Sequence, residues 1–180
     1  REKEAAKRIL DRIEKVIRDH HREAKRLNDE LEKVIREHHE TVKELLKRIK
    51  EVIDKFKKDK GDDRDVERIR KRLEELLKKL EDDARRVDKR LRDVLRRNHK
   101  EVREVNEEMR ELLKRLADLL DELSVEELEE TARRIIEKLK KSLEDSKRDH
   151  ERLKKEIEDS LKRLTELVKK IIEEIERDRK

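Results

Sequence analysis

Cysteine, proline, tryptophan and tyrosine are absent from this sequence of 180 residues, and glycine, methionine and phenylalanine occur once each. Without cysteine there is no disulfide and no thiolate chemistry, although this says nothing firm about compartment. Without proline, and with one glycine, nothing interrupts a helix from within, and no phosphate-cradling loop is legible. No apolar run approaches the roughly 20 residues needed to span a membrane, and no signal-peptide pattern is present. A dominant charge sign is also lacking: 56 Lys and Arg face 51 Asp and Glu, for a net charge of +5. Acids and bases alternate along every segment, so there is no basic block of the kind that phosphate binding requires.

What is present is charge and period. Charged residues make up 59% of the chain and hydrophobic ones 31%, against about 25% and nearly half in ordinary domains. The apolar residues recur at alternating spacings of three and four, the signature of one helix face. Three such stripes predict helices at about 2–59, 63–123 and 125–178. The first reads Ala6, Ile9, Ile13, Ile17, His20, Ala24, Leu27, Leu31, Val34, His38, Val42, Leu45, Ile49, Val52 and Phe56. Lys57, Lys58 and Lys60 suit the negative end of its dipole, and Gly61 supplies the left-handed residue that ends it. Asp62 or Asp63 caps the second helix. Ser124-Val125-Glu126-Glu127 is a capping box, flanked by Leu123 and Leu128 as a hydrophobic staple. Two short loops force antiparallel neighbours. The fold class expected is all-α: an elongated up-down-up three-helix bundle of long, nearly straight helices, with residues 1–180 as one domain.

A second period lies beneath the first. Residues 15–27, KVIRDHHREAKRL, return 18 positions later as KVIREHHETVKEL. Eighteen residues make five turns at 3.6 per turn, which predicts straighter helices than a strict seven-residue repeat gives. The doublets Val16-Ile17, Val34-Ile35 and Val52-Ile53 keep the same interval, as do Leu76-Leu77, Val94-Leu95 and Leu112-Leu113. Outward positions carry Lys, Arg, Glu and Asp, with i, i+4 pairs such as Glu14–Arg18 and Glu44–Arg48 that contribute a few tenths of a kcal/mol each.

Polar residues interrupt the stripes at intervals. Folding the chain at Gly61 and Ser124 sets residue x level with about 123 − x in the second helix and x + 123 in the third. His20 and His21 then come level with Ser142, with Asn106 and Ser146 a turn away. Asn28 falls beside Asn98, His99 and His150, and His38 and His39 beside Ala84, Asp88 and Ser160. Thr41 is level with Thr165. Fifteen polar side chains thus gather in three cross-sections as candidates for buried hydrogen-bond networks. Leaving one group of a buried imidazole unpaired costs about 1–3 kcal/mol, and neighbouring Ser and Asn can satisfy it. Ala84 leaves room for the second His pair.

These histidines read as hydrogen-bonding groups within the core before they read as a catalytic or metal set. Carboxylate-bridged metal bundles need Glu-x-x-His, and the residues three before each His are Ile17, Arg18, Ile35, Arg36, Arg96 and Lys147. The two His pairs lie about 27 Å apart along the helix. No Ser-His-Asp arrangement is legible, although Ser146 and His150 share a face.

Equal helix lengths, idealised caps, minimal loops, a Leu/Ile/Val core and buried His/Asn/Ser layers resemble de novo designed helical bundles with buried hydrogen-bond networks. The resemblance is one of style over the whole chain. Spectrin-like repeats are also three-helix bundles, but they are roughly half as long and usually carry core aromatics, where this chain has only Phe56. The resemblance implies a structural scaffold or assembly component with no enzymatic activity, whose buried networks specify pairing and register. In that family His-rich networks also confer pH response, so a pH-responsive bundle is the alternative; a metal-binding bundle, read from the histidines themselves, is the second alternative. No cofactor, nucleic acid, membrane or partner is expected. The chain should be a monomer that can be split into helices reassembling as a heterotrimer.

Overall fold

A computed structural model describes residues 2–60 and 64–179. They form three α-helices and no strand: α1 Glu2–Lys60, α2 Arg64–Asp118 and α3 Val125–Arg179. Each helix packs against both others, so the fold is an all-α three-helix bundle. The turn expected at Gly61, the caps expected at Asp62 or Asp63 and the Lys60 side chain lie outside the described residues.

The chain divides into two compact units. The first comprises Arg1–Glu32 and Val94–Glu151, the second Lys33–Asp93 and Arg152–Lys180. Each takes one segment from every helix. The first unit is built around Ile13, Ile17, Met109, Leu128, Ile135 and Leu139. The second is built around Ile53, Leu73, Leu80, Leu164 and Ile171, with Phe56 at its edge. Burying each such side chain contributes about 1.5–3 kcal/mol, which makes these clusters the main source of stability.

Ion pairs report the register inside each unit. In the second, α2 and α3 are joined by Arg72–Glu174, Asp83–Arg163 and Arg90–Glu156. In the first they are joined by Glu108–Lys138. The two residue numbers of every pair add to the same total, as antiparallel helices require. Lys57–Glu74 and Lys50–Glu81 step by seven in opposite directions along α1 and α2. These pairs are largely exposed and set register more than stability.

The 18-residue period decides which side chains face inward. In α1 the buried positions run Ile13, Ile17, His20, Ala24, Asn28 and Leu31, then Ile35, His38 and Val42. The steps are four, three, four, four and three. This corrects the stripe read from strict alternation: Leu27, Val34 and Leu45 are half-buried and Val52 is 47% exposed, while Ile35 and Ile53 are buried. A straight helix drifts against a 3.5-residue alternation, and the extra step of four absorbs the drift.

Helix α2 ends at Asp118, about five residues before the expected Leu123. From there the hydrogen bonds tighten, with Leu120 N–H donating to Ala117 O and Glu122 N–H to Leu119 O. Leu119 is left 42% exposed. The next helix starts as its cap dictates. Ser124 Oγ accepts the Glu127 N–H at 3.1 Å, and Leu123 and Leu128 join one apolar cluster, the two halves of a capped and stapled start.

Candidate functional site

Six polar side chains are buried among the described residues: His20, Asn28, His38, Asn98, His150 and Ser160. His20, Asn28, His38, Asn98 and His150 stand where the repeat elsewhere carries an apolar residue, while Ser160 repeats Ser142. His20 and His38 hold the position that Phe56 fills 18 residues further on, and Asn98 stands midway between Leu80 and Leu116.

In the first unit, His150 Nε2 lies 3.0 Å from Asn28 Oδ1 in full burial. An amide oxygen can only accept, so the imidazole proton sits on Nε2. Asn28 Nδ2 and Asn98 Nδ2 are buried without a hydrogen-bond partner. His99 is half-buried and its Nε2 stands 4.0 Å from Glu32 Oε2. His20 is buried beside half-buried His21, and neither His20 Nε2 nor His21 Nδ1 has a partner. Burial lowers the His20 pKa, and the like charge of His21 lowers it further. Asn106, Ser142 and Ser146, expected in the same cross-section, are half-buried.

In the second unit, neither ring nitrogen of buried His38 has a hydrogen-bond partner, and neither has Ser160 Oγ. Burial lowers the His38 pKa; Asp88 opposes this and His39 adds to it. His39 Nδ1 approaches Asp88 Oδ1 at 3.3 Å, close enough for an ion pair though not aligned as a hydrogen bond. Asp88 Oδ2 receives Arg92 at 3.1 Å. A groove of about 340 Å³ opens here between α1 and α2.

Thr41 and Thr165 correct the expectation of a shared layer. Both are exposed, and each hydroxyl donates to the carbonyl four residues back, Glu37 at 2.9 Å and Leu161 at 2.8 Å. Threonine in a helix satisfies itself this way without a cross-helix partner. Glu32, Arg92 and the groove residues Lys43, Leu46 and Arg85 were not singled out by the stripe, because they flank it. Only the i, i+4 spacing of Asp88 and Arg92 signals its pair from sequence.

Among the described residues no three His, Asp or Glu side chains converge as a metal set, and no helix is long and apolar enough to cross a membrane. Comparison with protein families, curated proteins and solved structures finds no match.

Proposed function

We propose that this chain is a designed structural bundle without enzymatic activity, whose buried polar side chains specify which helices pair and in what register. The observation that carries the reading is the Asn28–His150 hydrogen bond, a buried donor and acceptor from α1 and α3 at 3.0 Å. A slip of one turn would leave both groups buried and unpaired, at about 1–3 kcal/mol each, whereas Leu against Leu tolerates slippage. The idealised Ser124 cap and the 18-residue repeat support an origin in design.

The test is to cut the chain within residues 60–64 and 122–125 and mix the three peptides. The expected product is a complex of one of each. Stable homo-oligomers persisting in the mixture would sink the reading. A pH-responsive bundle is the second reading, favoured by the lowered pKa of His20 and His38.

A further inference from the structure

The ladder of ion pairs between α1 and α2 breaks at Lys43. Lys57 meets Glu74 and Lys50 meets Glu81, each rung seven residues from the last. The next rung would join Lys43 to Asp88. Asp88 is instead held by His39 and Arg92. Lys43 is left without an ion-pair partner among the described residues, and so is Arg85; both line the groove. Three cations and two carboxylates surround it, so its residual charge is positive.

Below the charged rim the lining is apolar, with Val42, Leu46 and Ala84. Ala84 stands at the repeat position that Val66 and Val102 fill elsewhere in α2, and its small side chain leaves the space open. His38 also lines the groove, 95% buried, with both nitrogens unpartnered. Its neutral ring offers one donor and one acceptor. A volume of about 340 Å³ falls at the lower end of the range that small molecules occupy.

We propose that this groove binds a small aromatic monocarboxylate, its ring on Ala84 and Leu46 and its carboxylate held by Lys43 and Arg85 beside the His38 imidazole. The apolar floor takes the ring by burial. The unpaired cations take the charge that Asp88 does not supply, and the His38 N–H is a donor that a carboxylate oxygen satisfies.

The experiment is a titration of the full chain with 2-naphthoate, followed by NMR at the Ala84 methyl and the His38 ring. Saturable shifts at both are expected, with a Kd of about 1 mM or tighter, as the efficiency of small fragments gives. The neutral 2-naphthamide should bind about three- to fivefold more weakly, as should naphthoate to Lys43→Glu, the loss expected for a partly solvated ion pair. Ala84→Leu should abolish the shifts at His38 while leaving the helical circular dichroism intact. Lys43→Glu, on the exposed rim, keeps the test valid if the leucine disturbs folding. No saturable shift up to about 10 mM, well above the Kd expected of such a fragment, would overturn the proposal. So would amide binding as tight as the acid, or a Lys43→Glu chain that binds naphthoate unchanged.

Discussion

Asn28 and His150 are 122 residues apart in sequence and 3.0 Å apart in the fold. They join α1 to α3, two helices that run in the same direction within their unit. Apolar contacts around them are permissive, since Leu packs acceptably against Leu after a shift of one turn. A donor facing an acceptor is not, because the cost of separating them in the dry interior falls on both partners. On the function proposed above, the bond contributes more to the uniqueness of the pairing than to its strength.

A double-mutant cycle should show this. Asn28→Leu alone strands the His150 donor and is expected to destabilise by about 1–3 kcal/mol. Adding His150→Leu should return stability to the parent level or above it, since apolar replacement of a complete buried pair is often neutral or stabilising. Guanidinium midpoints of the four chains measure the coupling. Strictly additive losses would show that the two side chains do not act as a pair.

His38 is the opposite case. Neither of its nitrogens is satisfied, so its burial carries a desolvation cost with no return. His38→Leu should raise stability by about 1–3 kcal/mol, and Ser160→Ala should raise it by a smaller amount. A fall in the midpoint of His38→Leu would mean that the imidazole holds a partner in solution.

The cap at Ser124 is separable from the core. Ser124→Ala removes the acceptor of the Glu127 N–H and should cost about 1 kcal/mol. The first turn of α3 should exchange its amide protons faster, with no change at His150. Thr41→Ala and Thr165→Ala, both exposed, should each stay within about 0.5 kcal/mol of the parent.

Sequence reading reached the architecture because three features agree: the apolar period, the Ser124 box and the 18-residue repeat. It set residue x of α1 level with x + 123 of α3, and Asn28 meets His150 at one residue less. Between α1 and α2 it set the paired numbers to add to about 123, whereas Lys50–Glu81 and Glu32–His99 add to more. The same alignment makes antiparallel α2–α3 partners add to 246, as Arg72–Glu174 and Glu108–Lys138 do, so the offset is confined to the α1–α2 pairing. Which member of each Val-Ile doublet turns inward was not legible from alternation, since both lie within one step of the core. The place of Asp88 beside the second His pair was legible from the alignment and its Arg92 partner from the i, i+4 spacing; the exclusion of Lys43 from that carboxylate was not.

Acid should weaken the fold through two named groups. His20 is 8% exposed and His38 5%. Burial lowers the pKa of both; the neighbours His21 and His39 reinforce this, and Asp88 partly offsets it at His38. An unfolded histidine titrates near 6.5. Above that pH both states are neutral and the full stability is present. As pH falls below it, the unfolded chain takes up protons that the folded chain refuses, so stability declines until the folded pKa is passed. Carboxylates approach protonation at the lower end of this window, and the proper control is His20→Asn/His38→Asn, which keeps them all. Between pH 7.5 and 5 the guanidinium midpoint of the parent should fall further than that of the control. Parallel curves would mean that both imidazoles protonate as readily folded as unfolded and are solvated instead of buried.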